Sequence, residues 1–152
     1  MTATEYHYTT YIKSTPEKVW AAITNPEFAH QYWGNANFSD WKQGSRWEHR
    51  TTAGAAVITG IVRECVPPKR LVLSWAGTGD HDDPAKHSRV TFEIGLIKDM
   101  IRLHVTHDHL VAGSDMAKGI SGGWPRVLSS MKSLLETGIP LDTWAGFESC
   151  CH

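Results

Sequence analysis

The stretch that decides the fold is residues 88–107, SRVTFEIGLIKDMIRLHVTH. Ser88, Val90, Phe92 and Ile94 fall on one side of an alternating pattern, with Arg89, Thr91 and Glu93 on the other. Ile101, Leu103, Val105 and His107 then repeat it against Arg102, His104 and Thr106. A period of two in each half predicts a pair of half-buried antiparallel strands that turn near Lys98-Asp99. Beyond Gly113 the period lengthens. Ile120, Trp124, Val127, Leu128, Met131, Leu134 and Leu135 recur at steps of three and four, while Lys132, Ser133 and Glu136 take the other side and Gly138-Ile139-Pro140 ends the pattern. Such a stripe predicts a long amphipathic helix. Pro125 removes one of its hydrogen bonds, so either the regular helix begins near Ser121 or an earlier helix kinks at the proline; a kinked helix is the expectation.

Upstream of this stretch, Arg70 to Trp75, Ala55 to Glu64 and Arg46 to His49 carry β-branched, apolar or alternating residues between Gly and Pro punctuation, and predict three more strands. Gly77 to Lys86 collects Gly, Asp, His and Pro without an apolar period and predicts an exposed loop. Near the start, Thr4 to Lys13 places Tyr6, Tyr8, Thr10 and Ile12 on one face of a first strand. Ser14-Thr15-Pro16-Glu17 then offers a hydroxyl cap, a proline at the first helical position and an acid in the first turn. A short helix through Val19, Trp20 and Ile23 follows, and after Asn25-Pro26 a second one carries Phe28, Tyr32 and Trp33 to Gly34.

The chain has 152 residues, suited to one domain, with a core over 4–138 and an extension over 139–152 that carries Trp144 and Phe147. A net charge of -1 and the absence of a basic run longer than Lys69-Arg70 give no footprint for a nucleic acid. No segment reaches the roughly 20 apolar residues a membrane span needs, and the start shows no charged-then-apolar leader, so a cytoplasmic location without membrane insertion is expected. Cys65, Cys150 and Cys151 have the spacing of neither a disulfide framework nor a zinc set. One buried thiol and two exposed ones are expected.

Strand, two short helices, five strands and a long terminal helix describe the α+β class, an antiparallel sheet with its helices on one face. The long helix can bury its stripe only against the concave face, and a cavity is left where helix and curved sheet diverge. Four segments carry a resemblance: Thr15-Pro16-Glu17-Lys18-Val19-Trp20, Gly60 to Leu71, Leu103 to Asp108, and Gly122-Gly123-Trp124-Pro125 followed by Leu128 and Leu134-Leu135-Glu136. In that order, from about Tyr6 to Thr137, the chain resembles the AHSA1-like branch of the START/Bet v 1 (SRPBCC) superfamily. The resemblance implies a helix-grip fold with a hydrophobic ligand cavity between sheet and C-terminal helix. It does not imply one activity, because that superfamily holds lipid carriers, hormone receptors, aromatases and cyclases. The branch is named for an Hsp90 co-chaperone, but the further domain of those activators has no counterpart here, so direct co-chaperone action is not expected.

Trp33, Trp47, Trp75 and Trp124 lie on four different elements, and inward placement would bring them to one pocket. Val90, Phe92, Ile101, Leu103, Val105 and His107 from the strands, with Leu128 and Met131 from the helix, complete the expected cavity wall; His107, beneath Trp124, would either hydrogen-bond a ligand's polar head or be a satisfied structural histidine. Tyr8, Tyr32, Arg46 and His49 are candidates for polar contacts at its rim. His104, His107, His109 and Asp108 invite a metal, but alternation sends 104 and 107 to opposite faces, leaves only 107 and 109 together, and marks no third ligand. Neither metal nor cofactor is expected. No nucleophile elbow, phosphate loop or His-Glu helix motif occurs, and Gly77-Thr78-Gly79 lacks the strand-to-helix setting of a phosphate site. Three functions stay open. The first is binding of a small hydrophobic ligand, lipid-like, aromatic or polyketide-like. The second is a cyclase- or aromatase-like reaction in the same cavity with His107 as acid or base. The third is a protein-interaction or stress-related module with a filled cavity. Homodimerisation through an exposed apolar patch is left open.

Overall fold

The structure is a computed structural model in which residues 3–111 and 114–142 are described. Ten elements follow in order: β1 (Ala3–Ile12), α1 (Pro16–Thr24), α2 (Pro26–Tyr32), β2 (Ala36–Phe38), β3 (Arg46–Arg50), β4 (Ala56–Val66), β5 (Arg70–Gly77), β6 (Ser88–Ile97), β7 (Met100–Val111) and α3 (Asp115–Thr137). The strands form one antiparallel sheet in the order β1-β7-β6-β5-β4-β3-β2, so the first strand lies beside the last.

The expected α+β arrangement is present, with one strand more than the sequence reading gave. β2 has three residues, too few for any period to register, and it completes the edge beside β3 by pairing Ala36 with Arg50 and Phe38 with Glu48. The loop expected at 77–86 contains two short 3-10 turns, at 78–80 and 84–86. His87 ties the second to the sheet, with Nε2 donating to the His81 carbonyl at 2.9 Å and Nδ1 facing the Ser74 hydroxyl at 3.0 Å.

The short helices are set by their caps. Thr15 accepts from Lys18 N at the start of α1, with Pro16 in the first turn where no N–H is needed. Asn25 serves twice: its backbone N–H closes α1 on Ala21 O, and its side chain accepts from Glu27 N to open α2. α3 begins at Asp115 and runs unbroken through Pro125, so the earlier of the two expected starts holds. The carbonyl that Pro125 leaves without a donor belongs to Ser121, an exposed residue that water can serve. Ser114 caps this helix by accepting from Ala117 N, and Gly138 ends it in the left-handed region at φ 81°. Ser114→Ala is expected to lower stability by about 1 kcal/mol, read from a urea unfolding curve.

One cluster of buried side chains runs from Ile12 and Val19 through the inner faces of β5, β6 and β7 to Leu134. The C-terminal half of α3 is fastened across it, with Lys132 Nζ on the Tyr11 carbonyl and Glu136 accepting from Lys13 N at 2.8 Å. Of the expected extension, Leu141 is tied to Ser130 Oγ at 3.0 and 3.1 Å; Trp144, Phe147, Cys150 and Cys151 lie outside the described residues. Cys65, expected to be buried, is only half-buried. Among the described residues no helix is long and apolar enough to cross a membrane.

Candidate ligand cavity

The apolar stripe of α3 changes character along its length. Leu128, Met131 and Leu134 fill the space over the sheet, whereas the first half offers Gly119 and Gly123 on the inner side, and a glycine brings no side chain to fill the gap. There the structure holds a cavity of about 580 Å³, within the usual range of small-molecule sites. Its helix wall is Met116, Gly119, Ile120, Gly123, Trp124 and Val127, with Asp115 and Lys118 exposed at the mouth. Opposite stand His49 of β3, Val57 and Ile58 of β4 and Trp75 of β5, and Trp33 at the C-cap of α2 closes one end.

Aromatic rings dominate this wall. Trp33 meets His49 with centroids 4.5 Å apart and Trp124 at 5.9 Å, and Trp75 meets Trp124 at 5.6 Å and His49 at 6.4 Å. The separations suit tilted and edge-to-face pairs, which lock the rings against one another. His49 is oriented by the unforeseen β2. Asn37 donates through Nδ2 to the Ile23 carbonyl, so its Oδ1 receives the His49 Nδ1 proton at 2.8 Å.

His107 lies beneath Trp124 and, of the two roles open to it, has the geometry of a hydrogen-bonded structural histidine and not of a group on the cavity wall. It is 0% exposed and lies behind Trp124, away from the cavity lining. The Trp124 indole donates to Nδ1 at 3.2 Å, so Nδ1 must hold a lone pair. Ser88 gives its own proton to the Trp75 carbonyl and therefore accepts from His107 Nε2 at 2.7 Å. One neutral tautomer satisfies all three bonds. Burial holds the imidazole at a pKa of about 4, with nearby Asp108 opposing the shift. Both nitrogens are engaged, and the ring ties sheet to helix.

Of the twelve residues expected around the cavity, Trp33, Trp75 and Trp124 line it. Val90, Phe92, Ile101, Leu103 and Val105 face inward as their alternation requires but do not line the cavity; Phe92 packs edge-on against Trp124 at 5.8 Å, and the five, with Leu128 and Met131, are core. Trp47 is core as well, its Nε1 bound to the Ser74 carbonyl at 2.8 Å. Of the rim candidates only His49 reaches the cavity; Tyr32 is buried with its hydroxyl on Ala22 O, Arg46 pairs with Glu48 on the outer face, and Tyr8 packs on the core. The residues not foreseen are Val57, Ile58, Asp115, Met116, Lys118, Gly119, Ile120, Gly123 and Val127. A signal for the helix set was present, since 116, 119, 120, 123, 124 and 127 share one helical face and two of them are glycines.

The expected pairing of His107 with His109 on one face does not occur. A register shift between Thr4 and Tyr6 of β1 sets two residues of β7 against one, His109 takes φ 62°, and its side chain is 60% exposed. His104 lies on the outer face beside His7 and Thr9. Among the described residues no three His, Cys, Asp or Glu side chains gather as a metal site.

The sequence model of the family described as "Activator of Hsp90 ATPase homolog 1-like protein" matches residues 13–136. The chain belongs to this family. No curated protein matches it. Solved structures similar to this chain include the Aha1 dimer of Colwellia psychrerythraea, at 21% identity and a TM-score of 0.74 over 89% of this chain and 98% of that one. A Mesorhizobium loti protein shares 24% identity and a TM-score of 0.72 over 87% and 96% of the two chains. A Plasmodium falciparum protein described as an HSP90 activator shares 21% and 0.69 over 86% and 95%. At these identities the likeness carries the family fold, a seven-stranded antiparallel sheet beside a long C-terminal helix, and not an activity.

Proposed function

We propose that this chain binds a small, mostly apolar ligand in the cavity between the first half of α3 and β3–β5. The observation that carries the reading is the space itself: about 580 Å³ remains open beside a tightly packed core, with a wall of rings and aliphatic side chains. Rings and aliphatic side chains that face this open space forgo the burial that an apolar ligand would give them. The open space also favours ligand binding over an interaction module with a filled cavity.

Gly123→Phe tests this. Gly123 lines the cavity, and a Cβ built there meets nothing within 4 Å, so a large ring can enter the space without displacing the wall. The neutral fluorescent probe N-phenyl-1-naphthylamine is expected to saturate one site in the wild type and to bind at least about tenfold more weakly in the variant. Thermal stability is expected to hold or rise by about half a kcal/mol, since glycine is a poor helix residue. Equal binding by both proteins would place the probe elsewhere and sink the proposal.

A reaction in the same cavity would fall to His49 and not to His107, because His49 is the imidazole on the wall. Conversion of an aromatic or polyketide-like substrate by the wild type and not by His49→Ala would move the reading from binding protein to enzyme. The expected single domain and cytoplasmic location belong to this proposal, and so does homodimerisation, which the Colwellia relative exhibits.

A further inference from the structure

The tryptophans around the cavity divide by the state of their indole N–H. Trp47 donates to the Ser74 carbonyl and Trp124 to His107. The Nε1 atoms of Trp33 and Trp75 are equally buried and meet no acceptor. The division follows the cavity, because both unsatisfied indoles belong to residues that line it, while Trp47 does not and Trp124 turns its N–H away into the core. Trp75 is only 6% exposed, so water is a poor substitute partner. A buried donor left unmade keeps its full desolvation penalty, and such groups are uncommon in folded proteins. Two in one wall indicate a partner that arrives with the ligand.

The chemistry of that partner follows from the donors. An indole N–H only donates, so what the wall lacks is acceptor oxygen. A neutral oxygen fits better than a carboxylate: the one cationic side chain of the lining, Lys118, is exposed at the mouth, and an ion drawn deep among the rings would have no countercharge. The faces and edges of Trp33, His49, Trp75 and Trp124 suit flat rings better than a flexible alkyl chain. We propose that the ligand is a flat, neutral aromatic compound whose carbonyl-type oxygen accepts the hydrogen bonds of Trp33 and Trp75. This rests on the cavity-binding reading and narrows it to a chemical class.

Fluorene and 9-fluorenone, nearly isosteric and differing by one carbonyl, test it by equilibrium dialysis. The wild type is expected to bind fluorenone about tenfold more tightly than fluorene, the gain of roughly one well-made hydrogen bond in a dry site. In a Trp33→Phe, Trp75→Phe double variant both probes are expected to bind more weakly, because two indoles of the wall are lost, but the ratio of their affinities is expected to fall to about one, with a cooperative urea transition reporting that the variant folds. Independently of any variant, fluorenone should move two indole N–H resonances of the wild type downfield, as hydrogen bonding does, relative to their positions with fluorene bound. Equal wild-type affinity for both probes overturns the acceptor inference and leaves the cavity reading standing. Binding of neither overturns both.

Discussion

His107→Ala is expected to cost about 4 kcal/mol of stability at pH 7.5, measured by urea unfolding. The substitution leaves the buried Trp124 indole without an acceptor, takes a partner from Ser88, and opens a void between β7 and α3. The wild type should also show an acid dependence that the variant lacks. The folded imidazole titrates near 4 and the unfolded one near its ordinary 6.5, so the folded state excludes a proton that the unfolded state binds. Its contribution is therefore complete above pH 6.5 and falls as pH drops towards 4, by about 3 kcal/mol in all. His104, also held low by partial burial and by Arg102 and His7, acts in the same direction, but it is present in both proteins and cancels in their difference. The gap between wild type and variant should thus shrink from about 4 to about 1 kcal/mol across that window. A gap that stays constant with pH would mean that His107 is not the buried neutral link between sheet and helix described above.

Gly60→Ala is expected to be nearly as damaging, by about 3 kcal/mol or more. A Cβ at this position would lie 1.9 Å from the Ser74 carbonyl oxygen and 2.6 Å from Trp47 Nε1. Neither is the loose end of a flexible side chain: one is backbone of the neighbouring strand, and the other is the indole of a fully buried ring. Relief requires β4 and β5 to part, and the Trp47 to Ser74 hydrogen bond is lost with them. Because Trp75 follows Ser74 directly and packs on Trp47 with centroids 5.2 Å apart, the cavity wall is expected to shift as well, so probe binding should weaken along with stability. An alanine variant with wild-type stability would show that the strands approach less closely there than described.

The elements differ in how far they could be read from the chain. β6 and β7 were legible because apolar residues recur at every second position over most of residues 88–107, and α3 because its stripe persists over six turns. β2 was not, since three residues carry no period; yet it brings Asn37 to His49 and so helps to set the wall. The turning out of His109 was hidden for a related reason. A bulge resets the alternation, and its position depends on how β1 pairs with β7, a partner about a hundred residues away in sequence.

The sequence by itself determined the class of fold, the order of nearly all its elements and the side of each strand that faces the core, because these follow from local periods and from caps such as Thr15, Asn25 and Ser114. It also marked the rings, but not which of them meet open space. Only the tertiary structure decided that Trp33, Trp75 and Trp124 border the cavity while Trp47, Phe92 and His107 pack behind them. An inward direction is a property of one strand or helix; whether the inward side chain finds a neighbour or a void depends on the distance between elements. Here two glycines on the inner face of α3 leave that gap unfilled, and the rings of Trp33, His49, Trp75 and Trp124 line what remains.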